Sequence, residues 1–123
     1  MILTDTSVWI DHLRKGDDAL RKLLDKGQVL IHPFIIGELA MGSLKQRDIL
    51  LSALQDLPQA IVAQDDEVLQ FVSSRALFGL GIGYIDAHLL SAVQMTPGAL
   101  LWTRDRRLFE VATKLSLAYT ATP

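Results

Sequence analysis

MILTDTSVWID, residues 1–11, changes its pattern at Asp5. Met1 to Thr4 form a short apolar run of the kind that is buried on both faces of a sheet, and the residues from Ser7 onward start a helical period. The spacing predicts a strand, then a helix from Ser7 to Leu13 capped by Thr6 or Ser7, with Gly16 as its stop. A carboxylate that ends a buried strand and precedes a helix stands at the carboxyl edge of an α/β sheet. Open sheets of that class bind their ligands there.

Working outward, the chain keeps alternating. A second amphipathic helix is expected from Asp17-Asp18 to Lys26, and Val29 to His32 reads as the next strand. Pro33 opens a helix reaching about Gly42, and another spans Arg47 to Leu54. Ile61 to Ala63 reads as a short strand, followed by a helix from Asp65-Asp66 to Phe78 whose acidic start suits the helix dipole. Tyr84 to Met95 is helical, Ala99 to Thr103 a strand, Asp105 to Lys114 a helix, and Leu117 to Thr120 a final strand. Alternating strands and helices predict a parallel sheet of four to five strands, covered on both faces.

The 123 residues suffice for one domain with a proper core, so a single domain over 1–123 is expected. Half the residues are apolar and about a fifth are charged, which excludes disorder and leaves surface for a partner to cover. The absence of cysteine excludes disulfides and thiolate metal sites. Asp5 and Asp11 interrupt the opening run, so no signal peptide is expected, and Pro97-Gly98 breaks the longest uncharged stretch. A cytoplasmic protein is the expectation. The net charge of −2 advertises no polyanion partner, so nucleic acid would have to be met by local cations such as Arg104, Arg106 and Arg107, or by bound metal.

Four carboxylates fall where an acid is inconvenient. Asp5 follows a buried strand, Glu38 shares its helix face with Phe34, Ile35, Met41 and Gly42, Asp86 lies above Leu89, Leu90 and Val93, and Asp105 follows the apolar run Leu100 to Thr103. Each alone also reads as a turn residue, a helix-start acid or a satisfied interior carboxylate. Together, two end parallel strands and two stand on helices beside those ends, so all four can converge on one cleft. Two unit charges about 4 Å apart repel by roughly 4 kcal/mol at an effective dielectric near 20. A divalent cation relieves that repulsion, and carboxylate oxygens suit Mg²⁺ or Mn²⁺ rather than zinc or copper. The usual task of such a site is phosphate chemistry: the metal activates water, screens the phosphodiester charge and stabilises the leaving oxygen.

DTSVWID at 5–11, the IIGEL segment around Glu38, GYIDAHLL around Asp86 and LWTRDRRL around Asp105 together resemble a PIN domain. They are most similar to the VapC-type ribonuclease toxins of toxin–antitoxin pairs, in order and over essentially the whole chain. The resemblance implies a Rossmann-like three-layer α/β/α fold and a Mg²⁺- or Mn²⁺-dependent endoribonuclease. It implies Asp5, Glu38, Asp86 and Asp105 as the acidic quartet, with Asp5 and Asp86 as direct metal ligands and Glu38 and Asp105 binding metal through water or a second ion. Thr6 or Ser7, and Thr103, match the small hydroxyl positions that orient the ligands. The resemblance also implies a homodimer held inactive by a cognate antitoxin whose tail enters the cleft.

The neighbours carry two readings each. Arg104, Arg106 and Arg107 either hold RNA phosphates or solvate the last helix. Trp9 and Trp102 either stack bases or belong to the core, and their apolar company favours the core. His12, His32 and His88 lack metal-ligand spacing. Asp11 reads as an exposed helix acid or a supporting group, and Gly79, Gly81 and Gly83 do not complete a phosphate-loop motif. Two other functions stand beside the nuclease. An aspartyl-phosphate phosphatase or receiver-like domain would use Asp5 as nucleophile, but Ser7 stands where the phosphatase needs its second acid. A non-catalytic RNA- or protein-binding module would have no reason to keep four strained acids.

Overall fold

The computed structural model describes residues 1–121. The alternation is realised as β1 (Ile2–Thr4), α1 (Thr6–Lys15), α2 (Asp18–Asp25), β2 (Val29–Leu30), α3 (Pro33–Ala40), α4 (Arg47–Gln55), α5 (Asp65–Ser74), α6 (Tyr84–Met95), β3 (Leu100–Trp102) and α7 (Arg106–Lys114). The sheet is parallel throughout, in the order β2-β1-β3, with Ile2 opposite Val29 and Leu100. Ile2, Leu3 and Thr4 alternate between the faces of the sheet and are all buried, so helices cover both faces of its central strand. Leu3, Leu89, Leu90, Leu101 and Leu108 are fully buried in the core that forms there.

The sheet is smaller than the four to five strands expected. It has three strands among the described residues, and at each edge one further segment makes a single parallel bridge, Gln59 to Ile31 and Ala118 to Leu101. Each bridge is one ring of two backbone hydrogen bonds: Ile31 N–H to Pro58 O and Ala60 N–H to Ile31 O, both 2.9 Å, on one side. On the other, Leu101 N–H reaches Leu117 O at 2.7 Å and Tyr119 N–H reaches Leu101 O at 2.8 Å. The expected strand Ile61 to Ala63 does not form, because the Ile61 N–H is taken by the Thr96 hydroxyl at 3.0 Å, outside any ladder.

The joints that position the site follow the sequence closely. Gly16 closes α1 with φ +80°, a conformation that favours glycine. Asp17 caps α2 through the Leu20 N–H at 2.9 Å, and Pro33 sits in the first turn of α3. The cap of α1 is Asp5 rather than Thr6 or Ser7.

Candidate active site

Asp5 ends β1 and begins α1, and its side chain declines the use that position offers. An aspartate at a helix N-cap ordinarily accepts from the next turn's N–H groups, a bond that stabilises the helix by about 1 kcal/mol. Asp5 makes no such bond. Its Oδ2 instead accepts from the Thr103 hydroxyl at 2.7 Å and the Ser7 hydroxyl at 2.9 Å, with the two hydroxyls 3.4 Å apart. The residue is buried to 7% exposure, and among the described residues Oδ1 accepts no hydrogen bond. One oxygen is fixed and the other is left for something else.

The other three acids come from α3, the start of α6 and the start of α7. Glu38 is exposed, and its Oε1 accepts from the Thr6 hydroxyl at 2.8 Å. It therefore stands at the surface instead of in the core, as do its neighbours Phe34 and Met41, the latter 88% exposed. Asp86 is half-buried, and its Oδ2 accepts from the Gly83 N–H at 3.0 Å. Asp105 caps α7 by accepting from the Leu108 N–H at 3.0 Å, while its own N–H donates to the Thr103 hydroxyl at 3.1 Å.

These acids lie in one another's fields. Burial pushes the Asp86 carboxyl above its ordinary value, the Gly83 N–H opposes that, and the charges of Asp5, Asp105 and Glu38 push it further up. Yet no three acids or imidazoles among the described residues close around a single ion position. The two facts concern different distances: charge coupling reaches about 10 Å at moderate salt, whereas ligation of Mg²⁺ requires oxygens at about 2.1 Å. The charges of three carboxylates thus reach Asp86, and Asp5, Glu38, Asp86 and Asp105 each accept a hydrogen bond from the protein, without enclosing an ion position. The donor set, all oxygen with Asp5 Oδ1 unbonded, fits a hard divalent ion.

The basic residues divide. Arg104 donates to Asp11 Oδ2 and to Asp17 Oδ2, each at 2.5 Å, and lies over the Trp102 ring at 5.6 Å. Burial would raise the Asp17 carboxyl, but the bonds from Arg104 and from Leu20 N–H outweigh it and hold Asp17 below its ordinary value. Arg106 is 91% exposed, with only a 3.4 Å contact to Glu110. Arg107 lies across Gly81, where an added Cβ would come within 2.5 Å of Nη1. Trp9 and Trp102 are buried in the core. His32 is buried and caps α3 through the Phe34 N–H at 3.0 Å. His12 accepts from the Asp17 N–H at 3.0 Å, and His88 is packed between the rings of Phe34 and Tyr84, both at 4.7 Å.

Two features escape a reading of the sequence. The Asp11–Arg104–Asp17 bridge joins residues 93 and 87 positions apart, with no local signal. An apolar groove of about 610 Å³ runs beside Glu38, lined by Ile10, Leu13, Leu39, Leu44 and Leu50 with Arg14 and Lys45 at its edge. Only the partial exposure of Ile10 and Leu13, on the far side of α1 from Val8, betrays it.

Residues 2–114 match the sequence model of the PIN domain. Two curated relatives, both named Ribonuclease VapC32 and belonging to Mycobacterium tuberculosis strains CDC 1551 / Oshkosh and ATCC 25618 / H37Rv, are 53% identical to the chain over 108 residues. The matched region covers 88% of this chain and 87% of theirs. With its parallel sheet and its acids gathered at the ends of β1 and β3, the chain belongs to the PIN-domain family, among proteins of the VapC type.

Proposed function

We propose that this chain is a Mg²⁺- or Mn²⁺-dependent endoribonuclease, the toxin of a VapBC-type pair, built as a single three-layer PIN domain over residues 1–123. The observation that carries this reading is Asp5: it gives up its helix cap, is clamped on one oxygen by Thr103 and Ser7, and acts with Glu38 and Asp105 on the charge of Asp86. Asp5 and Asp86 would bind the cation directly, and Glu38 and Asp105 through water or a second ion. The cation supplies an activated water and charge neutralisation at the phosphodiester. Thr103 and Ser7 keep Asp5 in one rotamer, and Thr6 keeps Glu38 turned toward the cleft, so the acids need little reorganisation when the ion arrives.

Arg106 and Arg107 supply phosphate contacts on the α7 side, since neither is committed as Arg104 is. Groups outside the chain follow the same reading. The apolar groove beside Glu38, with Arg14 and Lys45 at its edge, suits a cognate antitoxin segment that carries apolar and acidic side chains. Exposed Leu69 and Phe78 suit a homodimer contact. No helix among the described residues is long and apolar enough to cross a membrane, and we assign the activity to the cytoplasm.

The test is cleavage of structured RNA by the antitoxin-free chain, with Mg²⁺ or Mn²⁺ against EDTA, alongside Asp5→Asn and Asp86→Asn. Cleavage is expected only with the ion and only from the unsubstituted chain. Cleavage indifferent to the chelator, or equal in the unsubstituted chain and both variants, refutes the reading.

A further inference from the structure

Arg104 stands beside the four acids, yet its terminal nitrogens are already occupied. Nη1 donates to Asp11 on α1 and Nη2 to Asp17 at the cap of α2, each at 2.5 Å. Its backbone N–H donates to the Ser7 hydroxyl at 3.0 Å. The residue is thus fastened three times to the polypeptide that follows β1. Its two neighbours work on the acids: the Thr103 hydroxyl donates to Asp5 Oδ2, and the Asp105 N–H donates back to that same hydroxyl.

Ion pairs this exposed, with the Arg104 and Asp11 side chains 36% and 34% accessible, add little stability in themselves. What a planar fork held between carboxylates on two elements does supply is orientation, which an ammonium cannot reproduce. We infer that Arg104 is a positioning residue, whose bridge between Asp11 and Asp17 holds residues 103–105 against α1 so that the Thr103 hydroxyl keeps both its bond to the Asp5 carboxylate and its bond from the Asp105 N–H. The inference rests on the reading of the acids as a cation site, and it removes Arg104 from the RNA-binding surface.

A positioning role and a phosphate contact differ in sign. Asp11→Asn with Asp17→Asn frees the Arg104 charge: a phosphate-binding arginine would then hold RNA more tightly, whereas a broken bridge loosens the site. Arg104→Lys keeps the charge and breaks the fork. The full chain and these two variants are compared by three measurements, with far-UV circular dichroism as the check of folding. Amide exchange at residues 103–105 without metal is expected to quicken in both. Mn²⁺ affinity by titration, and kcat on RNA, are expected to fall on the order of tenfold, as for other residues that orient ligands, with KM little changed.

Unchanged exchange and Mn²⁺ affinity in Arg104→Lys overturn the inference. So does a raised KM with kcat intact in Arg104→Lys, paired with a lowered KM in the double variant. If the double variant does not fold, Arg104→Lys decides alone. If the unsubstituted chain neither binds Mn²⁺ nor cleaves RNA, the nuclease reading fails by itself. Amide exchange in Arg104→Lys then still decides the bridge: quickening supports it, and retained protection overturns it.

Discussion

Thr103 contributes more to this molecule through one hydroxyl than through its place at the end of β3. It donates to Asp5 Oδ2 and accepts from the Asp105 N–H, so a single oxygen couples two of the four acids. Thr103→Val keeps the shape and deletes that oxygen. The expected outcome is a loss of about 1–2 kcal/mol in stability, because the Asp105 N–H and one Asp5 bond are left unmade. A fall of roughly 10- to 100-fold in kcat should accompany it. Urea unfolding and single-substrate kinetics measure the two, and an undiminished kcat would detach the hydroxyl from the chemistry. His32 gives a second prediction away from the acids. Burial first, and the neighbouring His88 second, push its pKa from 6.5 down to about 4. The folded state binds this proton more weakly than the unfolded chain does. The stability His32 contributes is therefore complete above pH 6.5 and is lost as the pH falls toward 4, a loss of about 3 kcal/mol. His32→Asn retains a cap acceptor for the Phe34 N–H and does not titrate. Relative to the unsubstituted protein, the variant should gain about 3 kcal/mol between pH 7 and pH 4 in urea midpoints. Parallel stability curves would contradict the assignment.

Elements were legible where burial made the pattern unambiguous. The run Tyr84 to Met95 is α6 residue for residue. The sheet edges were not legible, since Ile61-Val62-Ala63 has strand composition while its partners are decided elsewhere. Ile61 and Val62 are 44% and 45% exposed, and the Ile61 amide goes to Thr96. Glu38 was misplaced for a related reason: sharing a face with Phe34 and Met41 implies burial only if those residues are buried, and Met41 is not. The single bridges predict a graded sheet. Amides of Ala60 and Tyr119, each in a one-ring edge, should exchange faster by roughly tenfold or more than those of Ile2 in the central strand and of Asp5, which follows it and donates to Trp102 O. Equal protection would mean that the edges are full strands in solution. The approach to α6 offers another test. Gly81 has φ +81° and lies under Arg107, so Gly81→Ala is strained and also displaces that side chain. It should cost about 1–2 kcal/mol in stability. It should also raise KM for RNA while leaving kcat nearly intact, because Asp86 takes its bond from Gly83, two residues further on.

Only at the scale of the whole molecule do the charges make sense together. No local pattern joins Arg104 to Asp11 and Asp17; the parallel sheet does, by laying the end of β3 beside the end of β1. The same pairing brings Thr103 and Asp105 to Asp5, and the charges of Asp5 and Asp105 reach Asp86; each acid carries a local sequence signal, while the Arg104 bridge joins distant segments and carries none. The consequence for RNA is an acidic protein, net charge −2, whose cleft repels the substrate it is proposed to cut. Binding must then rest on the cation and on very few arginines. Each phosphate contact to a single strand contributes about 0.7 to the slope of log affinity against log salt, so Arg106 and Arg107 together give a slope of about −1.4. That is shallow beside a basic RNA-binding surface. Fluorescence anisotropy with a labelled RNA, in EDTA to prevent cleavage and across a series of KCl concentrations, measures it directly. Arg107→Gln should move the slope toward zero by about 0.7, with Arg106→Gln doing the same and Arg104→Gln leaving it in place. A slope that ignores the Arg106 and Arg107 variants would take α7 out of the RNA path, and a slope that Arg104→Gln reduces would return Arg104 to it.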